Sequence, residues 1–115
     1  MIKRFQCVNI SSKDPETLAN FYRSIGAPVL LEDGSYDGWF LGDPKQGGTV
    51  CVWDENRWGK STEGFVTVVF ETDDVQKTYE EITSKGIDID PPRTADWGGQ
   101  ELLFPDIDGN IVMLL

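Results

Sequence analysis

An α+β fold built from two similar βαβββ modules is predicted by three features of this 115-residue sequence. Two helix patterns recur 60 positions apart, a strand-like run precedes each helix, and three shorter strand-like runs follow each helix. A module of about 55 residues buries little apolar surface and is only marginally stable alone. We therefore expect the modules to share surface, within one chain or between two, in a curved mixed sheet with a central cleft.

The first helix is predicted between Asp14 and Gly26. Asp14 is a favourable capping residue, and Pro15 suits the first helical turn. Apolar residues follow at the spacing of one helix face, at Leu18, Phe21, Tyr22 and Ile25. Gly26 is a typical residue just beyond a helix end.

The second helix repeats these signals further along the chain. Asp73 or Asp74 is predicted to cap it, and Gly86 to end it. Its apolar positions are Val75, Tyr79 and Ile82. The caps Asp14 and Asp74 are as far apart as the terminators Gly26 and Gly86, which indicates an internal duplication.

Strand-like runs complete both modules. Before the helices, Phe5, Cys7, Val8 and Ile10 correspond to Phe65, Thr67, Val68 and Phe70. After them, the predicted strands are Pro28–Leu31, Trp39–Leu41, Thr49–Trp53, Ile87–Ile89, Gln100–Phe104 and Ile111–Leu115. Residues 1–54 and 64–115 are thus predicted to form the modules of one domain, with the polar, turn-rich segment 55–63 as the linker.

Alternation along the two leading strands separates their faces. The more apolar sets are predicted to pack on the helices: Val8 and Ile10 with Gln6, and Val66, Val68 and Phe70. The mixed sets are predicted to line a cleft: Phe5, Cys7 and Asn9, and Phe65, Thr67, Val69 and Glu71.

Composition excludes several classes of function. Twenty acidic and ten basic residues give a formal charge of −10, which disfavours nucleic acid and anionic lipid as partners. No apolar run is long enough to cross a bilayer, and Gln6 and Asn9 interrupt any signal-peptide core. We therefore expect a cytoplasmic protein, in which Cys7 and Cys51 remain reduced thiols.

The duplicated module, the Phe21-Tyr22 pair before Ile25-Gly26, and the segments WGGQ at 97–100 and FPDIDGN at 104–110 together resemble one family. It is the glyoxalase / bleomycin resistance / extradiol dioxygenase superfamily, also called the vicinal oxygen chelate fold. The resemblance covers nearly the whole chain. Enzymes of this family usually hold a divalent metal in the cleft, with His, Glu or Gln ligands from the first and last strands of each module. The resemblance therefore implies that these positions are the ones to inspect in this sequence.

This sequence departs from that pattern at the ligand positions. Cys7 stands where metal-dependent members have His, Thr67 is its counterpart in the second module, and Met113 stands where Glu is expected. The counterpart of Met113 lies within residues 50–53, which contain neither carboxylate nor imidazole, and the chain has no histidine. Cys7 and Cys51 on adjacent strands would supply two soft ligands, fewer than a zinc site needs, and they also suit a buried apolar role. We therefore predict no metal, no cofactor and no catalytic residue.

A protein that retains the family's cleft but lacks its metal is expected to bind a small molecule instead of converting it. The resemblance includes bleomycin resistance and related drug-binding proteins, which are acidic and usually dimeric and sequester cationic or aromatic compounds. We therefore predict a homodimer that binds a small aromatic or cationic molecule. The predicted ligand-binding residues are Cys7, Asn9, Trp39, Trp53, Trp58, Thr67, Glu71, Trp97, Glu101 and Met113, with Asp54 and Glu55 adding negative potential.

Among these residues, Trp58 and Trp97 are the preferred ligand contacts, while the other tryptophans also suit a core or an interface. Glu71 and Glu101 also suit plain solvent exposure. Two other functions stay open. One is a metal-dependent lyase or dioxygenase with an atypical ligand set or with ligands borrowed across a dimer, and the other is a protein-interaction or regulatory module.

Overall fold

A computed structural model describes residues 1–31, 39–43, 45–58 and 60–115 of the protein, with Leu31 and Trp58 described by their backbone alone. The chain divides into two compact units, Met1–Glu63 and Gly64–Leu115. No helix in these described ranges is long and apolar enough to span a bilayer.

The first unit is a βαβββ module followed by one helical turn. Its elements are β1 (Cys7–Ser12), α1 (Pro15–Ser24), β2 (Val29–Leu31), β3 (Trp39–Leu41), β4 (Thr49–Asp54) and α2 (Glu55–Trp58). The four strands form one mixed sheet in the order β1-β4-β3-β2. β1 runs parallel to β4, and the other two pairs are antiparallel.

The second unit repeats this topology. Its elements are β5 (Thr67–Phe70), α3 (Val75–Ser84), β6 (Arg93–Thr94), β7 (Gln100–Pro105) and β8 (Ile111–Leu114). The sheet order is β5-β8-β7-β6, with β5 parallel to β8. The predicted α+β fold of two βαβββ modules is therefore confirmed.

Both long helices begin and end at the residues that carry the sequence signals. The Asp14 carboxylate accepts the backbone N–H of Thr17 at 3.1 Å, and the Asp74 carboxylate accepts that of Lys77 at 3.0 Å. Of the two candidate caps for α3, Asp74 is the one used. Gly26 (φ 90°) and Gly86 (φ 83°) follow the helices in the left-handed conformation that favours glycine.

Each sheet buries the side chains on its helix face. In the first unit, the fully or almost fully buried side chains are Ile10, Leu41 and Val52 from the sheet and Leu18, Ala19 and Tyr22 from α1. In the second they are Val68, Leu102, Phe104, Val112 and Leu114 from the sheet and Ile82 from α3. Val8, near the start of β1, is predicted to pack on the helix but is exposed.

Two further sequence predictions need correction. The predicted strand Ile87–Ile89 is wrong, because the strand that follows α3 is instead Arg93–Thr94. Pro91 and Pro92 precede it and lack the N–H that a sheet ladder requires, so pairing with β7 starts only after them. The segment 55–63 is also not only turns, since it begins with α2, whose first turn is capped by Asp54 accepting the N–H of Asn56 at 2.9 Å.

Candidate functional site

The strand register defines which positions of the two modules are equivalent. Asn9 lies opposite Cys51 in the β1–β4 pair, and Val69 lies opposite Met113 in the β5–β8 pair. Asn9 and Val69 are related by the 60-residue offset of the leading strands, so Cys51 is the structural counterpart of Met113. The sequence leaves this position open within residues 50–53, because the connections before the last strands differ in length.

The open face of each sheet is the one turned away from its helix. In the first module, Trp39 pairs with Val52 and its ring lies 5.1 Å from the guanidinium carbon of Arg23 on α1. Trp39 and Val52 therefore face the helix. Alternation then places the other set on the open face, namely Cys7, Asn9 and Ser11 of β1, Phe40 of β3, and Cys51 and Trp53 of β4.

Part of this first open face is covered by the segment that follows α2. The backbone N–H of Ser11 donates to Thr62 Oγ1 at 2.9 Å, and the Thr62 N–H donates to Ser11 Oγ at 3.2 Å. The Ser11 hydroxyl in turn donates to the carbonyl of Lys60. Ser11 is fully buried as a result, whereas its counterpart in the second module, Glu71, is exposed.

The open face of the second module is apolar across three strands. One row joins Val69, Met113 and Leu103, and the next joins Thr67, Ile111 and Pro105. Val69 is 52% exposed and Ile111 37%. Neither row carries a charge, so this face, in the position where family enzymes hold a metal, offers apolar contact area.

The residues at the family's ligand positions do not fit a divalent metal. They are two thiols (Cys7 and Cys51), the hydroxyl of Thr67 and the thioether of Met113. Zinc, nickel, iron and magnesium sites draw on imidazole, carboxylate or several thiolates. The chain has no histidine, and among the residues that the structure describes, no three Cys, Asp or Glu side chains are grouped to hold a metal ion.

Trp97 lies on a tight turn that leads into β7. The turn is closed by two backbone hydrogen bonds, from Gly98 N–H to Ala95 O at 2.9 Å and from Ala95 N–H to Gly99 O at 2.8 Å. The indole packs on the backbone of Gly99, where an added Cβ would overlap the ring. Trp97 is nevertheless 65% exposed, so a planar group can stack on its ring.

Two depressions flank this indole. The larger, of about 460 Å³, is lined by the start of α3 at Asp73, Asp74 and Val75 together with Trp97, Gln100 and Leu115. The smaller, of about 350 Å³, is lined by Arg93, Thr94, Ala95, Asp96, Trp97 and Glu101. Trp97 contributes to both, which makes its turn a candidate binding region.

Glu101 is the buried charge of this region. Arg93 and Glu101 lie opposite each other in the β6–β7 pair, and Arg93 Nε donates to Glu101 Oε1 at 2.9 Å. The Glu101 side chain is 6% exposed and that of Arg93 65%. The carboxylate is therefore neutralised by an arginine that itself faces mainly solvent.

The structure distributes the ten predicted site residues over several places. Cys7, Asn9 and Trp53 lie on the open face of the first module, and Thr67 and Met113 on that of the second. Trp97 and Glu101 line the same depression, and Glu71 is exposed just after β5. Trp39 faces α1, on the opposite side of its sheet from Cys7, Asn9 and Trp53. The backbone of Trp58 belongs to α2, but its side chain lies outside the described residues.

Sequence reasoning missed Arg93 and Asp96. The signal for Arg93 was available, because it is the only basic residue after Lys85. A single cation in such an acidic stretch indicates a carboxylate partner. The partner itself, Glu101, was not deducible without the β6–β7 register.

Solved structures with this fold include an antibiotic binding protein and a bleomycin resistance determinant. TnmS3, an antibiotic binding protein from Streptomyces sp. CB03234, superposes with a TM-score of 0.75 at 22% identity, covering 98% of this chain and 94% of that protein. A bleomycin resistance determinant encoded on the transposon Tn5 superposes with a TM-score of 0.67 at 21% identity, covering 97% and 96%. At such identities the likeness shows a shared fold.

Sequence comparison extends over the same length. The uncharacterized protein YetH of Bacillus subtilis (strain 168) is 27% identical and aligns with 99% of this chain and 98% of its own. The model of the Glyoxalase/Bleomycin resistance protein/Dioxygenase superfamily matches residues 4–114. With the duplicated module and its strand order, that match shows that the chain belongs to the glyoxalase/bleomycin resistance protein/dioxygenase superfamily.

Proposed function

We propose that this protein binds a small aromatic or cationic molecule without a metal, in a sequestration or resistance-like role. One observation carries the proposal: the positions that hold metal ligands in family enzymes are Cys7, Cys51, Thr67 and Met113 here, on the sheet faces turned away from the helices. Cys51 is buried, whereas Cys7, Thr67 and Met113 are partly or largely exposed. These side chains suit contact with an organic ligand better than coordination of a divalent ion.

The structural relatives support the binding role. TnmS3 is described as an antibiotic binding protein, and the Tn5 protein as a bleomycin resistance determinant. Both have the fold of this chain over nearly its full length. A fold that binds an antibiotic in TnmS3 offers the same kind of surface here, and a ligand that is held without being converted requires no catalytic residue.

The chemistry of the second module supports an aromatic ligand. Its uncharged rows around Val69, Met113 and Ile111 offer apolar area, which stabilises a bound apolar group by about 25 cal/mol per Å² buried. Trp97 adds an exposed indole that stacks on planar rings and attracts cations. The formal charge of −10 raises the local concentration of cationic ligands.

The proposal includes a cytoplasmic homodimer. Exposed apolar side chains such as Phe65, Val69 and Ile111 supply surface that a second copy would cover. Light scattering coupled to gel filtration tests this directly, with twice the 12.9 kDa chain mass expected. A mass of one chain across the concentration range would contradict the dimer and leave the binding role intact.

Binding is tested with purified protein and a panel of metal-free bleomycin, an anthracycline and an acridine. We expect saturable binding by calorimetry and quenching of tryptophan fluorescence, both unchanged by EDTA. Stoichiometric zinc, nickel, iron or manganese in the purified protein, or binding that requires an added metal, would contradict the metal-free proposal. The absence of binding by every member of the panel would contradict the binding role itself.

Two matched variants locate the ligand. Trp97→Phe removes the exposed indole and should weaken binding about tenfold, in the range of a lost stacking contact. Trp39→Phe removes an indole that faces α1 under Arg23 and should leave the affinity unchanged while lowering total fluorescence. Equal affinities of the two variants would place the ligand away from the Trp97 turn.

A further inference from the structure

We infer that Glu101 is the cation-binding group of a ligand subsite beside Trp97, and that Arg93 occupies it when no ligand is bound. The inference rests on the proposed function and makes it more specific, because it names the ligand class. The ligand is a planar aromatic compound that carries a protonated amine or a guanidinium group. Its ring stacks on Trp97, and its cation replaces Arg93 at the Glu101 carboxylate.

Glu101 is a buried carboxylate that still reaches a depression. Its side chain is only 6% exposed, yet it lines the 350 Å³ depression together with Trp97. Among the described residues, Arg93 is its only hydrogen-bond or ion-pair partner. A carboxylate held this far from water is costly to leave without a cation or other hydrogen-bond donors. Glu101 therefore always needs a partner, but nothing requires that partner to be Arg93.

Arg93, in contrast, is exposed and weakly anchored. Its side chain is 65% exposed and belongs to β6, a two-residue edge strand that pairs with β7. Water can hydrate its guanidinium as soon as the side chain turns outward, so leaving Glu101 costs Arg93 little. Glu101 cannot follow it into solvent. The pair is therefore asymmetric, and a ligand cation replaces the arginine.

The charge around the indole of Trp97 is mainly negative. Asp96 and Glu101 line the smaller depression, and Asp73 and Asp74 line the larger one. Among the described residues, Arg93 is the only base that lines either of them. Once Arg93 has turned away, a cation meets carboxylates on both sides of Trp97 as well as the face of the indole. A ligand anion would meet the same carboxylates and be repelled.

This arrangement predicts that removing the Arg93 side chain raises the affinity for the ligand. Because Arg93 competes with the ligand, the apparent affinity is lowered by the fraction of time that Glu101 is occupied. If the pair is closed about nine-tenths of the time, removing Arg93 tightens binding about tenfold. If the ion pair were only structural, or if Arg93 contacted the ligand, removing Arg93 would not raise the affinity for the ligand.

The experiment measures two probes of similar shape by calorimetry at neutral pH. They are the 9-aminoacridine cation and the anthracene-9-carboxylate anion. We expect Arg93→Ala to bind 9-aminoacridine about tenfold more tightly than the unmodified protein. Glu101→Gln should bind it at least about tenfold more weakly, because the carboxylate that meets the cation is gone. Arg93→Ala combined with Glu101→Gln should show no gain over Glu101→Gln alone.

Folding is followed on the same samples. Arg93→Ala leaves a buried carboxylate without its partner, so its Tm should fall, and 9-aminoacridine should raise that Tm more than it raises the Tm of the unmodified protein. Arg93→Lys keeps a cation at the position and should bind more weakly than Arg93→Ala. Binding by Arg93→Ala alone, with none by the unmodified protein, would also support the inference.

Three outcomes would overturn the inference. Equal affinity of 9-aminoacridine for all variants would make the pair purely structural, and loss of affinity in Arg93→Ala would do so as well. Tight binding of anthracene-9-carboxylate that Arg93→Ala abolishes would make Arg93 an anion receptor instead. In these cases a compound still binds, so the proposed function stands. Failure of both probes with every variant would count against the inference and the proposed function together.

Discussion

The two modules of this protein share one plan but present different open faces. Both begin with a strand, cap a helix with an aspartate and end with a strand parallel to the first. In the first module, the segment after α2 covers Ser11. In the second, the equivalent residue Glu71 is exposed, and the Trp97 turn adds two depressions. Duplication therefore reproduces the scaffold, whereas the connecting segments make the two open faces differ.

The helices differ in how firmly they are anchored. α1 buries Leu18, Ala19 and Tyr22, whereas α3 buries Ile82 alone. Ile82 is the counterpart of Tyr22, but the counterpart of Leu18 is Thr78, which is half-buried. The second module thus combines the more open face with the less firmly packed helix. Substitutions in both modules test this contrast, in order of decreasing expected effect.

Ile82→Ala should destabilise the protein by about 2–5 kcal/mol, since it leaves a cavity at the one fully buried side chain of α3. Urea unfolding measures the effect. Glu81→Ala, an exposed neighbour on the same helix, should change stability by no more than about 0.5 kcal/mol. Similar small effects of both changes would mean that α3 is held by contacts other than Ile82.

Ser11→Ala should make the first module resemble the second by releasing the segment that covers its open face. It removes the hydroxyl that donates to Lys60 and accepts from Thr62, at an expected loss of about 1–3 kcal/mol. Hydrogen exchange of the Thr62 amide should accelerate. Lys60→Ala, which shortens an exposed side chain in the same segment and keeps the backbone carbonyl that Ser11 bonds, is the control and should leave both stability and exchange unchanged.

Gly99→Ala should displace the indole of Trp97, because the new Cβ would overlap its ring. The ring is largely exposed and can move aside, so stability should fall by less than about 1 kcal/mol, while affinity for 9-aminoacridine falls about tenfold. Calorimetry and thermal unfolding separate the two effects. Gly48→Ala crowds the ring of Phe5 in the first module and should leave binding intact. Loss of binding in both variants would mean that the site is not confined to the Trp97 turn.

The cap of α1 should respond to acid. The Thr17 hydroxyl donates to the Asp14 carboxylate at 2.7 Å and, with the Thr17 backbone N–H, holds the pKa of Asp14 below its ordinary value of 3.8. A lowered pKa in the folded state stabilises the protein at pH values above 3.8, and this contribution is lost as the pH falls through the folded value. The matching residue in the second module is Lys77, whose backbone N–H alone bonds Asp74.

Thr17→Val should therefore raise the pKa of Asp14 toward its ordinary value and move the acid loss of stability to higher pH. Thr17→Ser keeps the hydroxyl and should behave like the unmodified protein. Carboxyl NMR titration measures the pKa directly. An unchanged Asp14 titration in Thr17→Val would show that the backbone bond alone sets the value.

Much of the fold was predictable because its signals are local. Aspartate caps, the terminal glycines and apolar spacing lie within single helices, and the same signals recur in both modules. The strands at Trp39–Leu41, Thr49–Asp54 and Gln100–Pro105 match predicted runs to within one residue. The run Ile87–Ile89 misled because an apolar alternation indicates a strand only if a partner is available. The prolines that follow it delay that pairing until Arg93.

The amino-acid sequence by itself determined most of the elements, the duplication, the family and the absence of histidine, since each depends on residue types and on spacing along the chain. Only the tertiary structure decided that Cys51 matches Met113, that Trp39 faces a helix, and that Arg93 neutralises a buried Glu101. Each of these facts depends on strand register and on which side of a sheet a helix covers. Such contacts join residues that are distant in the chain, and their geometry follows from packing and hydrogen-bond pairing of the whole module.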